Sequence, residues 1–271
     1  MNLGLIHKSI REVWAMTLLC GLGLFAFESA VAPIFWTYQE QFTEQIMEIE
    51  LVRAILSSLV GAEVTDQTGP GMLVSLAWAH PLMLSILWAH VITFATRVPA
   101  GEIDRATVDV LFGLPVSRWT IYRSESVVWL GSGVVVIGLA ALGSAFGNLF
   151  VPPEGRPDWS QLAQVLFNLY CLYLCVGALA FLLSALSNRR GRAVGAAFGM
   201  VLALFLWNFL TEYWSLLDRV DFLNVLSYYR PMLILNGNPV PLSDVTVLLG
   251  CAASLWIAGG VVLSRRDIYT V

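Results

Sequence analysis

Six apolar stretches, each long enough to cross a lipid bilayer, constrain this chain more than any other feature. A transmembrane helix needs about 20 mainly apolar residues, because the hydrocarbon core is about 30 Å thick. The stretches are approximately Val13–Trp36, Met72–Thr96, Val127–Phe150, Leu162–Leu186, Ala193–Trp214 and Val245–Leu263. Residues 1–271 are therefore predicted to form one all-α, polytopic membrane domain with six transmembrane helices.

The composition supports a membrane protein. Hydrophobic residues make up 58% of the chain and charged residues only 13%, whereas about 25% of an ordinary soluble domain is charged. Basic residues are sparse and the net charge is −4, which argues against nucleic-acid binding. Cys171 and Cys175 would share a helix face, but two thiols make a weak metal site, so no metal site is predicted.

Lysine and arginine residues are distributed unevenly between the two sides of the predicted bundle. With the N-terminus inside, the inner segments hold Lys8, Arg11, Arg97, Arg105, Arg118, Arg123, Arg189, Arg190, Arg192, Arg265 and Arg266. The outer segments hold only Arg53, Arg156, Arg219 and Arg230. Because cytoplasmic loops carry the excess of basic residues, both termini are predicted to be cytoplasmic.

Two outer segments are too long for simple turns. Gln39–Gly61 has apolar residues at helical spacing opposite three glutamates, which predicts an amphipathic helix that lies on the outer surface or packs over the spans. Ser215–Ser243 contains three prolines and the sequence Asn236-Gly237-Asn238. This pattern predicts short helices broken by turns.

One charged, amphipathic segment, Glu102–Trp119, lies between the second and third stretches. Its apolar residues would form one helical stripe consisting of Ile103, Ala106, Val110, Leu111 and Leu114. Phe112 would project among the charged residues opposite, and Pro115 would end the helix at Leu114. The pattern predicts a helix over residues 102–114 that is displayed to a soluble partner. An interfacial helix that merely joins two spans fits the same periodicity.

This segment resembles the cytoplasmic loop of ABC-2 type transporter permeases. The residues that carry the resemblance are Glu102, Thr107, Leu111, Leu114, Pro115, Val116, Ser117 and Arg118. Ala106 stands where the family usually has glycine. Two further patches are similar to the family, namely Leu226–Tyr229 with Pro231 and Gly237, and the terminal Arg265-Arg266-Asp267-Ile268.

The resemblance implies the membrane subunit of an ATP-driven exporter in the bacterial inner membrane. It implies two separate ATPase subunits that carry ATP and magnesium, and a second permease that is either a copy of this chain or a paralogue. The implied coupling residues are Glu102, Arg105, Thr107, Asp109, Leu111, Phe112, Leu114, Pro115, Ser117 and Arg118. Among them, Phe112 and Leu114 would anchor the segment in the ATPase groove. The outer Ser215–Ser243 region would form short re-entrant helices.

The chain itself is not expected to hydrolyse ATP. A P-loop needs a lysine after a glycine-rich turn to hold the phosphates, but Lys8 is the sole lysine and follows His7. No cofactor is therefore expected on this chain. The sequence leaves open both the substrate and whether a periplasmic or extracellular partner exists.

Several polar or ionisable residues fall within or near the apolar stretches, where such groups often mark a transport pathway. They are Glu28, His80, His90, Asn208 and Glu212. Glu28 and Glu212 could instead lie at headgroup depth and reach into water. An ion-coupled carrier or a scaffold subunit without transport is the alternative function, although carriers usually contain more spans, built as repeats.

Overall fold

A computed structural model describes residues 2–39, 52, 55–57, 70–211 and 214–267. All regular elements within these ranges are helices. Most of the predicted outer helix Gln39–Gly61, including its three glutamates, lies outside the described residues, and so does Glu212.

Six helical spans confirm the predicted membrane architecture, since six helices are long and apolar enough to cross a membrane. The first is Leu3–Thr37, the second consists of Pro70–Ala79 and Pro81–Ala95, the third is Arg118–Gly147, the fourth is Trp159–Leu186, the fifth is Arg190–Leu210 and the sixth is Leu242–Arg265. The first and third helices begin about ten residues before their apolar stretches. Capping explains both extensions, because the side chains of Asn2 and Ser117 accept bonds from the first-turn backbone.

The second span is broken at His80, which directly precedes Pro81. Pro81 occupies the first turn of the second segment, where its missing N–H costs nothing. The His80 side chain caps that segment, because its Nδ1 atom accepts a hydrogen bond from the Leu82 amide at 3.2 Å.

The six spans are covered to different extents by the rest of the chain. The fourth span is the centre of the bundle and packs against the second, fifth and sixth, while the first lies along the third. Gly147 allows this close approach, because a Cβ atom there would lie 2.7 Å from the Ser29 carbonyl oxygen. In their most apolar windows, the first and fifth spans have only 17% of residues buried, against 67% in the fourth.

Short helices between the fifth and sixth spans confirm the predicted broken segment. They are Ser215–Asp218, Asp221–Leu223, Val225–Tyr228 and Pro231–Leu235. Asn168 of the fourth span holds them at two points, because its Nδ2 donates to the Tyr228 carbonyl at 3.1 Å and its Oδ1 accepts from the Arg230 amide at 3.3 Å. The segment therefore closes one end of the bundle.

The other end is called the arginine-rich end, defined here by Lys8, Arg97, Arg118, Arg190 and Arg266. At this end, arginine side chains donate hydrogen bonds to carbonyl groups in the last turns of three spans. Arg190 donates to the Thr93 carbonyl at 3.0 Å, and Arg266 donates to the Ala185 carbonyl at 2.6 Å. Arg118 donates to the Leu263 carbonyl at 3.1 Å.

Candidate functional site

The segment between the second and third spans folds into two short helices rather than the one predicted over 102–114. They are Glu102–Asp104 and Val108–Phe112. The chain breaks at Ala106, whose φ of 56° lies in the left-handed region. The Thr107 amide closes the turn by donating to the Glu102 carbonyl at 2.9 Å, and the Thr107 hydroxyl bonds the Glu102 carboxylate.

This break rotates the second helix, so the predicted apolar stripe does not form. Leu111 and the unpredicted Val108 are buried, at 7% and 0% exposure, and Leu111 packs with Leu5 and other residues at the arginine-rich end. Val110 and Leu114, which belong to the predicted stripe, are 77% and 42% exposed. The segment therefore presents an apolar surface that consists of Val110 and Leu114.

Phe112 packs within the chain instead of projecting among the charged residues. Its side chain is half-buried against the main core, and the guanidinium carbon of Arg118 lies 4.9 Å from the centre of its ring. Arg118 in turn donates to the carbonyls of Leu263 and Arg266, the latter at 2.5 Å. Phe112 and Arg118 thus join the segment to the end of the sixth span.

The other predicted coupling residues lie at the surface of the segment. Asp109 and Pro115 are exposed, and Arg105 is half-exposed with its guanidinium 3.3 Å from the Glu102 carboxylate. Ser117 is structural, because its hydroxyl accepts the Thr120 amide at 3.2 Å and caps the third span.

A buried ionic network links this segment to the first, second and third spans. Arg97, only 6% exposed, pairs with both Glu12 and Glu125, and it donates to the Ser9 hydroxyl at 2.7 Å. Ser9 completes the ring by donating to Glu125 at 2.9 Å. Buried charges of this kind are stable only when paired and hydrogen-bonded, so the network fixes the relative positions of three helices.

Lys8 connects this network to the segment itself. Its ammonium lies 3.0 Å from the Glu12 carboxylate and 3.3 Å from that of Glu102. Burial would raise the pKa of Glu102, but the hydrogen bond from Thr107 and the charges of Lys8 and Arg105 outweigh it and hold the pKa below its ordinary value. Glu102 is therefore a charged link between the segment and the first span.

Glu28, a predicted pathway residue, lies inside the fold rather than at a solvated rim. It is 1% exposed, and its Oε1 atom has no hydrogen-bond partner among the described residues. Trp78, whose indole N–H is likewise unpartnered in the described part of the chain, lines the same cavity of about 30 Å³, together with Asn148. A cavity of this size accommodates about one water molecule.

The remaining pathway candidates occupy separate surroundings. His90 is fully buried between the Thr17 hydroxyl at 3.2 Å and the Tyr173 hydroxyl at 3.4 Å. His80 caps its helix, and the Asn208 side chain lies 3.4 Å from that of Asn224. Within the described ranges, no group of three histidine, cysteine or acidic side chains is placed to hold a metal ion.

A family model described as ABC-2 family transporter protein matches residues 7–268. The chain belongs to the ABC-2 transporter family. It is a multi-pass membrane permease of an ABC transporter, and this family is the membrane component rather than the ATPase. The family implies association with an ABC ATPase subunit. No curated protein matches the chain.

Two of the sequence patches that resemble this family meet in the permease. Arg118 ends the first patch, and the Arg266 carbonyl that it bonds belongs to the terminal patch. The third patch lies in the segment between the fifth and sixth spans, where the Tyr229 hydroxyl donates to the Trp78 carbonyl at 3.1 Å. These residues therefore fasten connecting segments to the spans.

Sequence reasoning missed the ionic network of the permease. Glu12 and Glu125 were each at the polar end of a predicted helix, where a solvated carboxylate is the ordinary expectation. A signal was nevertheless present, because Glu12, Arg97 and Glu125 all lie just outside or at the edge of an apolar stretch on the same predicted side. Charges at one depth on neighbouring spans are candidates for pairing.

Proposed function

We propose that this permease is the membrane half of an ATP-driven exporter and that its segment 102–118 docks on a separate ATPase subunit. The observation that carries the proposal is the exposed apolar surface of Val110 and Leu114, surrounded by the polar residues Arg105 and Asp109. An apolar centre with a polar rim is typical of protein docking surfaces. Phe112 would support this surface from behind, and Leu114 would keep its predicted role as an anchor.

The contacts of the segment suit it for transmitting a movement. Glu102 is linked to Lys8 of the first span, and Arg118 is bonded to the end of the sixth. A docked segment that shifts would therefore displace these spans together, since packed elements move as bodies rather than deform continuously. ATP binding and hydrolysis in the partner would supply that displacement.

A charge substitution at the docking surface tests the proposal. Val110→Asp would place an unpaired charge in the partner groove, at a cost of about 3–5 kcal/mol, and should abolish co-purification of the ATPase from cells that express both subunits. Leu3→Asp is the matched control, because Leu3 is also exposed, at 83%, near the same end of the bundle. If the complex survives Val110→Asp, the segment is not the main docking element.

The basic residues support an orientation with both termini cytoplasmic, and the family resemblance supports a bacterial inner-membrane location. The arginine-rich end would then face the ATPase in the cytoplasm. A reporter fused after Arg266 should be cytoplasmic, and a reporter inserted near Pro153 should be external. The reverse labelling would contradict both the orientation and the docking site.

A second permease, either a copy or a paralogue, would complete the transport path. The fifth span supports this with Gly191, Gly195 and Gly199, each of which has open space where a side chain would be. Glycines at a spacing of four let two membrane helices approach closely. The path would lie at this interface, lined by the first, second and fifth spans, and each permease would bind one ATPase subunit.

Cysteine cross-linking tests the second permease. Gly195→Cys should give an oxidant-induced dimer in membranes when the partner is a second copy, whereas a paralogue would give a cross-link only with a cysteine on that chain. Gly131→Cys on the third span is the matched control, because it also points into open space. Equal cross-linking at both positions would argue against an interface on the fifth span.

The alternative of an ion-coupled carrier gains no support from the pathway candidates. Such a carrier would need its ionisable groups along one path, but the described candidates have separate neighbours and His90 is held by two hydroxyl groups. Glu28 remains a candidate for an outer part of the path.

A further inference from the structure

A groove of about 720 Å³ opens at the arginine-rich end between the first span, the end of the second, the start of the fifth and the segment 102–118. Its polar lining consists of Lys8, Glu12, Thr93, Arg97, Glu102, Arg105, Thr107 and Arg190. Its apolar lining consists of Val13, Met16, Val110, Leu111 and Leu114. The volume is within the range of small-molecule binding sites.

The charges that line this groove are not balanced. Four cationic side chains face the carboxylates of Glu12 and Glu102, and both of these are already paired with Lys8 and with an arginine. Two carboxylates act on these cations from outside the groove, since Glu125 pairs with Arg97 and the charge of Asp104 acts on Arg190. Arg190 is nevertheless the one cation of the lining that forms no salt bridge within the described ranges.

Two arginines have guanidinium N–H groups without an acceptor in the described ranges. Arg190 forms no salt bridge there, and its guanidinium donates to the Thr93 carbonyl alone. Arg97 is 6% exposed, and its Nε atom has no hydrogen-bond partner in the described part of the chain. A buried guanidinium donor without an acceptor is costly, so the groove lacks one anionic acceptor.

The apolar lining indicates what kind of anion would fit. Val13 and Met16 follow Lys8 along the first span, and Met16 lies about 12 Å beyond Lys8 along the helix axis. The groove therefore has a cationic mouth that leads to an apolar wall on a membrane-spanning helix. A soluble phosphate would leave that wall empty, and a soluble protein partner would have to enter the membrane to reach it.

We propose that this groove binds an anionic phospholipid, with its phosphodiester headgroup at Arg190 and Arg97 and an acyl chain along Val13 and Met16. The phosphate oxygens would accept from Arg190 and Arg97, whose guanidinium groups have donors without acceptors among the described residues. Basic pockets between spans at headgroup depth are known to recognise anionic lipids. The groove also includes Val110 and Leu114 of the proposed docking surface, but the four residues assigned to the lipid lie outside that surface.

Native mass spectrometry of the purified full-length permease tests the proposal. The protein would be exposed to phosphatidylglycerol and to phosphatidylcholine with the same acyl chains, and we expect one phosphatidylglycerol to be retained preferentially. Arg190→Gln should lower this retention about fivefold, since a basic residue near an anionic surface contributes about 1 kcal/mol. Arg192→Gln is the matched control, because Arg192 is exposed on the same turn and does not line the groove.

Two further arms separate the sources of the anion. Excess glycerol phosphate should not displace the lipid, and Met16→Ser should weaken retention of the lipid, because the acyl chain contributes to binding. Equal retention of both lipids, equal effects of the two arginine variants, or displacement by glycerol phosphate would each overturn the proposal. Loss of ATPase co-purification in Arg190→Gln with unchanged lipid retention would assign the groove to the protein partner instead.

Discussion

The two ends of this permease surround a buried carboxylate with different partners. At the arginine-rich end, Glu125 is 5% exposed, and Arg97 and Ser9 surround it. At the opposite end, Glu28 is 1% exposed and has neither a cation nor a hydrogen-bond donor among the described residues. The first arrangement uses ion pairs to hold helices together. In the second, only a proton or a water molecule in the adjoining cavity can satisfy the Glu28 carboxylate.

This contrast indicates which end can rearrange. Breaking the ionic network would expose several unpaired charges at once, so the arginine-rich end is suited to move as one body. The cavity at Glu28 is lined by the first, second and third spans and by residues that follow the third. Among its described lining residues no ion pair opposes a change in hydration. We expect substitutions at the two ends to differ in the sign of their effect on stability.

Arg97→Met should have the largest effect. It leaves Glu125 buried without its cation, and losing one partner of a buried pair costs about 3–5 kcal/mol. The melting temperature of the purified permease would fall accordingly. Arg123→Met, at an exposed arginine of the third span, is the control. The double substitution Arg97→Met with Glu125→Met should recover part of the loss, and an unchanged melting temperature in Arg97→Met would contradict a network role.

Glu28→Gln should have the opposite sign. The substitution keeps the size of the side chain and removes its ionisable group. Folding then no longer buries a carboxyl group without an ion-pair partner, so we expect a gain of about 2 kcal/mol in the free energy of unfolding. Glu154→Gln, at an exposed carboxylate near the same end, should be neutral. A loss of stability in Glu28→Gln would indicate an anionic Glu28 with a bound cation.

The Glu28→Gln variant also tests whether Glu28 lines the transport path. If Glu28 lines the transport path, Glu28→Gln should alter substrate-stimulated ATPase activity of the reconstituted complex without changing its basal activity or assembly. Glu212→Gln is expected to behave in the same way. Unaltered stimulation in both variants would remove the two glutamates from the path.

Thr107→Val should have a smaller, pH-dependent effect. It removes the hydrogen bond to the Glu102 carboxylate, at a cost of about 1.5 kcal/mol. Because the folded pKa of Glu102 is lowered from 4.5, the stabilisation is fully present above that pH and is lost as the pH falls through the folded pKa. The difference in melting temperature between the variant and the native protein should therefore shrink from pH 7 to pH 4. A constant difference would mean that the carboxylate charge is not involved, and Thr246→Val should show no such dependence.

Ala106→Gly should have the smallest effect. A residue with a left-handed backbone strains any side chain, and glycine removes this strain while adding flexibility to the unfolded chain. The net gain should be about 0.5 kcal/mol, visible as a slightly higher melting temperature. A clear loss would show that the turn at Ala106 is not held in this conformation.

The sequence was sufficient for the spans and for the short helices between the fifth and sixth spans. Each of these depends on local properties, namely apolar length, proline geometry and turn residues. The periodicity of residues 102–114 predicts one helix because a local pattern contains no information on tertiary contacts. Burial of Val108 and the bond between Thr107 and Glu102 decide its actual shape, and neither is visible in a local pattern.

The site was predictable in part for the same reason. The location of the candidate coupling segment followed from its charge and its resemblance to a family, but which face it presents depended on the turn at Ala106. The ionic network required the register of three helices, which periodicity does not supply. Glu28 could be recognised as unusual, but its enclosure depends on how Trp78 and Asn148 pack around it.

The arginines that meet the ends of the second, fourth and sixth spans have a consequence for topology. A helix concentrates partial negative charge on the free carbonyls of its last turn, and Arg190, Arg266 and Arg118 each donate to a carbonyl in such a turn. These arginines also belong to the charge bias that sets orientation across the membrane. The residues that would guide insertion therefore neutralise three helix dipoles after folding, so a permease engineered to insert the other way would also lose its carbonyl caps.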